Sequence, residues 1–246
     1  MVSAIVLAGG KGARMNGFQP KVLYKVGGKP ILYWTLNLLE KLKITQKIIV
    51  VGYKYEVVIE KVSEMGFKTD FARQRKPLGT GNAVKSALKY IQKGTTDVLV
   101  IYGDDSSLYR KETIAKLLDT HIRKNSMLTI LTTLKQGISL LGGLQRDNNG
   151  RVVGVLSSNE LIQYGCKETE ILCGVFCFNK LWLEKNIYKI KKGKIKGEYP
   201  LPVLIELAAI QGFYSNTVRI TNSREWNSVN TMFELNQARI KRAKMN

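Results

Sequence analysis

The fold of this chain turns on VLVIYGDDSSLY, residues 98–109. An unbroken apolar run ends at a glycine and two adjacent aspartates, Asp104 and Asp105. A short polar segment then leads into KETIAKLLDTHIRK (111–124), whose apolar residues recur at helical spacing. A strand with acidic residues at its carboxyl end, followed by a helix, is one unit of an open α/β sheet. Such sheets bind ligands at that end.

Outward from this unit the chain alternates strand and helix. AIVLA (4–8), KIIVV (47–51), FKTDFA (67–72) and DVLVIY (97–102) read as strands. KPILYWTLNLLEKLK (29–43), KYEVVIEKVSEM (54–65) and GTGNAVKSALKYIQ (79–92) read as helices. In the first of these helices Ile31, Thr35, Leu38, Leu39 and Leu42 share one face. Pro30 stands at its first turn, where a missing N–H is tolerated. Repeated β-α-β units predict an α/β, Rossmann-like, mostly parallel sheet with helices on both faces. After residue 134 the pattern changes. GGLQRDNNGRVVGVLSS (142–158) reads as an antiparallel hairpin about Asn149-Gly150. EILCGVFCF (170–178) and YSNTVRI (214–220) read as strands, and 179–192, 201–212 and 231–244 as helices, which predicts a mixed β lobe.

Tyr-Gly-Asp-Asp is also a signature of RNA-dependent polymerases. The 39 Lys and Arg against 19 Asp and Glu, a formal charge of +20, fit a nucleic-acid partner. The order of elements argues against a polymerase, whose palm needs a strand returning directly after the aspartates. At 246 residues the chain is also too short for fingers, palm and thumb. Its charge is spread, densest in KIKKGKIKG (189–197) and ARIKRAKMN (238–246), and neither stretch interleaves aromatics as single-strand binders do. The excess reads as solvated surface. No apolar run approaches bilayer length and no basic segment precedes the first one, so neither anchor nor signal peptide is expected. Three cysteines, Cys166, Cys173 and Cys177, fit a reducing cytoplasm. Cys173 and Cys177 fall on one strand face, and with His121 the only histidine they read as packing rather than as a zinc site.

LAGGKGARMNGFQPK (7–21) carries the strongest chemical signal. A strand delivers Gly9, Gly10 and Gly12, then Arg14 and Lys21, within one loop. Glycines let backbone amides close on a phosphate, and the two cations can neutralise its oxygens. The loop is not G-x-x-x-x-G-K-[ST], and Met15 occupies the last glycine's place in G-x-G-x-x-G.

In this order, LAGGKGARM…PKVL, QRKPLGTGNAV, YGDD and GEYPLPVLI…WNSVN resemble the sugar-1-phosphate nucleotidyltransferases. The likeness is strongest to the uridyltransferase domain of bacterial N-acetylglucosamine-1-phosphate uridyltransferase, and runs from residue 4 to about 240. The resemblance implies a single domain over 1–246. Residues 1–134 would bind nucleotide and 135–230 sugar phosphate, with a closing helix over 231–246. The acetyltransferase domain of those enzymes has no counterpart before residue 246, so no acetyl transfer is expected. The implied reaction is attack of a sugar-1-phosphate oxygen on the α-phosphorus of an NTP, UTP favoured, with Mg²⁺ as cofactor. The acceptor is already an anionic nucleophile, so positioning and charge neutralisation carry the catalysis and no histidine is required.

The same resemblance assigns roles residue by residue. Arg14 and Lys21 stabilise charge on the phosphates. Ala8 and Gly9 match backbone contacts to base and ribose, in the nucleotide-binding loop that also holds Gly10 and Gly12, while Gln74, Gly79 and Thr80 read the base. Asp104 and Asn230 hold the metal, and Gly142, Ser157 and Glu198 lie on the sugar side. Asp105 has no fixed counterpart and reads as a loop hydrogen bond or helix cap, with a second metal contact as the other option. The sugar side departs from the pattern: Ser157, Leu172 and Pro202 stand where glutamate, asparagine and threonine are expected. Three further readings therefore stay open, namely transfer to a non-sugar phosphate such as phosphocholine, a catalytically silent relative, and a nucleic-acid binder. The sequence leaves the oligomeric state open.

Overall fold

Apolar runs buried on both sides set the central sheet. The computed structural model describes residues 1–15, 18–137, 139, 141–165, 167–193 and 197–245. In the first half, strands β1 (Val2–Leu7), β4 (Gln46–Val51), β5 (Asp70–Arg73) and β6 (Asp97–Tyr102) alternate with helices α1 (Ile31–Lys41), α2 (Tyr55–Glu64), α3 (Thr80–Leu88) and α4 (Lys111–Arg123). A two-residue pair, β2 (Lys25–Val26) and β3 (Lys29–Pro30), precedes α1. The second half supplies strands β7 (Leu128–Gln136), β8 (Gly143–Arg146), β9 (Val152–Leu156), β10 (Glu168–Asn179) and β11 (Asn216–Ile220). Its helices are α5 (Ser158–Gln163), α6 (Lys180–Asn186), α7 (Val203–Ile210) and α8 (Met232–Ala243).

The seven-stranded sheet runs β11-β7-β10-β6-β1-β4-β5, and β10 alone is antiparallel to its neighbours. The expected mostly parallel α/β sheet is therefore observed. Alternate residues of each strand feed two cores. Ala4, Val6, Ile49 and Val51 pack under α1, α2 and α4 with Leu36, Val58 and Leu117. Ile5, Ile48, Val50 and Val100 pack under α3, α6 and α7 with Val84, Leu183 and Leu204. Because helices cover both faces, the strands read as continuous apolar runs rather than as alternating ones.

Three differences from the sequence expectation have local causes. Strand β7 is not among the expected elements. Its buried Thr129, Thr132 and Thr133 interrupt the apolar run, yet each hydroxyl is satisfied, by His121 Nδ1, Glu170 Oε1 and the Ile220 carbonyl. The helix expected over 179–192 stops at Asn186, whose amide turns back onto the Trp182 carbonyl (2.8 Å) and accepts from Gln211 (2.8 Å). Ser158–Gln163 forms a short helix where the sequence suggested only the end of a hairpin.

Cys173 and Cys177 are buried in one core and carry free thiols, as a packing role requires; Cys166 lies outside the described residues. Among the described residues no helix is long and apolar enough to cross a membrane.

Candidate active site

The first-half strands end together. Ala8, just past β1, donates its amide to the Val50 carbonyl (2.9 Å), and Gly103, just past β6, donates to the Leu7 carbonyl (3.0 Å). The glycine loop thus leaves the sheet where β1 lies between β4 and β6, so connections depart to either side. That is the crevice where open α/β sheets bind ligands. Ala8 is buried and Gly10 exposed. Gly12 has φ +66°, and a Cβ there would stand 3.1 Å from Lys21 Cβ, so both backbone and space call for glycine. Arg14 is exposed, whereas Met15 beside it is 1% exposed and packs in a small core with Val26, Ile31, Val229 and Leu235. The methionine that breaks the glycine motif is the anchor that fixes Arg14's loop against the segment carrying Asn230.

Three residues expected from sequence meet here. Lys21, 8% exposed, donates from Nζ to Asn230 Oδ1 (2.9 Å) and pairs with Asp104 Oδ2. They come from 209 residues apart in the chain. Burying an ammonium is costly unless it is paired, and the Asp104 carboxylate supplies that partner. The ammonium stands in for a cation: one anionic and one neutral oxygen converge on it. Two hard oxygen donors suit a divalent ion that takes its other ligands from water and phosphate. Among the described residues no cluster of three or more His, Cys, Asp and Glu could hold a metal alone. An ion at Asp104 and Asn230 would therefore draw on its substrate for ligands.

Asn230 is placed by a device that the role assignments passed over. Glu234 in the first turn of α8 accepts the amides of Asn230 (2.6 Å) and Thr231 (2.9 Å), while the Thr231 hydroxyl accepts the Glu234 amide (3.2 Å). This capping box, legible as T-x-x-E at 231–234, fixes the N-cap Thr231 and, through the Glu234 carboxylate, Asn230 just before it. Asp105 is half-buried beside the same segment, where the Val229 backbone favours its charged form. Burial and the neighbouring Asp104 hold the Asp105 carboxyl well above the usual carboxylate range, with Lys21 and the Val229 hydrogen bond opposing them. Beside this cluster a cavity of about 470 Å³ is lined by Arg14, Lys135, Trp226, Asn230 and Lys241.

The residues expected to read the base form a second group at the end of β4 and β5. Gln74 donates from Nε2 to the Gly79 carbonyl and to Asn82 Oδ1, both at 3.0 Å. Its Oε1 lies 3.4 Å from where a Cβ on Gly9 would stand, so Gly9 and Gln74 face each other. Gly79 adopts φ +90°, and a Cβ there would fall 2.9 Å from Tyr199 backbone and from Glu198 Cβ. The 78–81 segment is laced to 199–201: Tyr199 N–H to Leu78 O (2.7 Å), Gly81 N–H to Tyr199 O (2.7 Å) and Leu201 N–H to Thr80 Oγ1 (2.9 Å). Glu198 is thereby brought beside the base-side glycine.

The remaining sugar-side residues form a separate pair. Gly142 has φ +78°, and a Cβ there would collide with the Leu156 carbonyl at 2.4 Å, which sets it beside Ser157. Ser157 is the N-cap of α5. Its hydroxyl accepts the Glu160 amide (3.3 Å) and donates to Glu160 Oε2 (2.6 Å). Its side chain is thus already engaged locally. Leu172 packs partly buried in the core, and Pro202 is the N-cap of α7.

His121 lies away from all of this, buried between Thr129 Oγ1 (2.9 Å) and Asp97 Oδ1 (3.1 Å) at the opposite end of the sheet.

Comparison with known proteins places the fold and the family. The family model of the MobA-like NTP transferase domain matches residues 4–157. The bifunctional protein GlmU of Bacillus licheniformis is 33% identical over 239 residues, covering 96% of this chain and 51% of that protein. GlmU of Clostridioides difficile strain 630 is 30% identical over 235 residues, covering 96% and 50%. The chain thus spans about half the length of these curated relatives. A Bacillus anthracis structure solved with sucrose, and assigned as a glucose-1-phosphate thymidylyltransferase, superimposes with a TM-score of 0.83 at 18% identity. It covers 100% of this chain and 97% of its own. HddC of Yersinia pseudotuberculosis, solved with GMP-PN, gives a TM-score of 0.71 at 24% identity, covering 98% and 99%. From the glycine loop to the aspartate-bearing strand, this chain belongs to the family of MobA-like NTP transferase domains.

Proposed function

We propose that this chain transfers a nucleotidyl group from a nucleoside triphosphate, UTP by preference, to a sugar-1-phosphate and releases pyrophosphate. The observation that carries the reading is the convergence of Lys21, Asp104 and Asn230 beside the glycine loop. The names of the relatives, GlmU and a glucose-1-phosphate thymidylyltransferase, point the same way. Glycine-loop amides bind the phosphates, and Arg14, free at the surface of the loop, meets the charge that builds on the pentavalent phosphorus. Lys21 orders the Asp104 and Asn230 oxygens before substrate arrives and can pass its charge to phosphate oxygens. Bound there, Mg²⁺ would neutralise phosphate charge, with Asp104 and Asn230 as its protein ligands. No general base is needed, in keeping with the single histidine's distance from the cleft. Gln74, fixed by Gly79 and Asn82, presents its amide where a base edge would lie beside Gly9.

Pyrophosphate release from UTP, CTP, ATP and GTP, each paired with glucose-1-phosphate, N-acetylglucosamine-1-phosphate and phosphocholine, tests this reading. UTP with a sugar-1-phosphate should lead in kcat/KM. Preference for a purine triphosphate would overturn the base assignment, and phosphocholine in the lead would overturn the acceptor class. Silence with every pair would mark a non-catalytic relative.

A further inference from the structure

Behind the Asp104 loop lies a second pocket that the proposed reaction does not use. The 3-10 turn Ser106–Leu108, directly after the two aspartates, closes it together with the end of α1, the start of α4 and the end of α8. The pocket has a volume of about 530 Å³. Lys41, Arg110, Lys111 and Arg242 line it against one acidic residue, Glu112.

Two of its polar atoms are buried without a hydrogen-bond partner: Ser107 Oγ and Arg242 Nε. Ser107 is 1% exposed. Arg242 lies 3.5 Å over the Trp34 ring and gives one N–H to the Ser107 carbonyl (3.2 Å), which leaves Nε unanswered. Helix α4 opens on the same space. Arg110 is its N-cap and no side chain caps its first amides. Arg242, Ser107, the amino-terminal end of a thirteen-residue helix and two lysines thus border one volume from different elements.

We infer that this pocket is a second, non-catalytic site for a phosphate-bearing anion. A cation would meet four positive side chains, and an apolar ligand would leave Ser107 and Arg242 unpaired. A carboxylate presents its acceptors in one plane, whereas donors arriving from several sides match a tetrahedral oxyanion. The site touches both elements that carry the candidate metal oxygens. Ser107 is three residues past Asp104, and Arg242 is on the helix whose first turn fixes Asn230.

Calorimetric titration of the metal-free protein with pyrophosphate tests the site without relying on activity. In Arg14→Ala, which weakens the cleft, one binding event per chain should persist. Adding Lys111→Glu, an exposed position, should weaken that event by about tenfold or more, as should Arg242→Gln. Lys116→Glu, exposed on α4 outside the pocket, makes the same change in net charge and should leave it unaltered. UMP and glucose-1-phosphate as parallel probes tell whether an esterified phosphate is held more tightly than the free anion. Loss of all binding in Arg14→Ala would overturn the inference by placing the anion in the cleft alone. Indifference to both Lys111→Glu and Arg242→Gln, or equal weakening by Lys116→Glu, would also overturn it.

Discussion

The two groups of residues proposed to meet substrate, one for phosphate and one for acceptor, are built on different principles. On the phosphate side, polar side chains from distant parts of the chain turn towards one another, as Lys21 does towards Asp104 and Asn230. On the acceptor side, the positions where sugar contacts were expected are consumed by local structure. Ser157 caps α5, Leu172 packs in the core, and Pro202 starts α7. A triphosphate is the same in every nucleotide, so the groups that neutralise it are fixed by charge.

The largest effects should come from the phosphate side. Asp104→Asn keeps an oxygen beside Lys21 but removes the negative charge that the ammonium and a divalent ion both need. Its kcat should fall on the order of a thousandfold. Arg14→Ala should lower kcat by on the order of a hundredfold, at an unchanged melting temperature because Arg14 is exposed and Met15 is the loop's anchor. Steady-state kinetics beside thermal melts check both. Near-normal turnover in either variant would remove the contrast between the two sides.

Asp105 offers a smaller and sharper contrast with its neighbour. It is half-buried next to Asp104 and makes no ion pair among the described residues, so Asp105→Asn, which keeps its size and a carbonyl oxygen, should keep turnover within a few fold. Its stability should respond to pH. The folded carboxyl lies above its ordinary value, so the proton it binds stabilises the native state at low pH. That contribution is lost as pH rises through the raised value. The melting temperature of Asp105→Asn relative to the parent should therefore climb as pH rises above the ordinary carboxylate range. A flat difference would mean the carboxylate is ionised throughout, and a loss of turnover matching Asp104→Asn would make it a metal contact.

The first half of the fold was legible because its central strands β1, β4 and β6 are built on apolar runs and its helices show an apolar stripe. The phosphate side was legible for a related reason: glycine, lysine and aspartate declare their chemistry at fixed places along the strand ends. Strand β7 stayed hidden because three buried threonines break its pattern, and their partners, His121, Glu170 and Ile220, lie on other elements. Asn230 could be named from sequence, but the Glu234 clasp that sets its position was written only as a helix-start signal. Ser107 and Arg242 were not legible at all, since neither belongs to a motif and only the tertiary fold brings them into one pocket.

The smallest expected effect tests the acceptor side most directly. If Ser157 is a helix cap and nothing more, Ser157→Ala should cost about 1 kcal/mol of stability. For a chain of this size that is roughly 2–4 °C in Tm. The cost arises because the Glu160 amide loses its acceptor while the Glu160 carboxylate keeps the amide of residue 157 (2.7 Å). The KM for the preferred sugar-1-phosphate should then move by less than about twofold, since no hydrogen bond to substrate has been removed. Ser157→Thr should restore the melting temperature, because threonine caps helices almost as well as serine. A rise of tenfold or more in acceptor KM without a change in Tm would reverse the assignment, because it would show the hydroxyl released from its cap and turned to the sugar. The acceptor side would then use the same principle as the phosphate side, with polar groups held for substrate rather than for the fold.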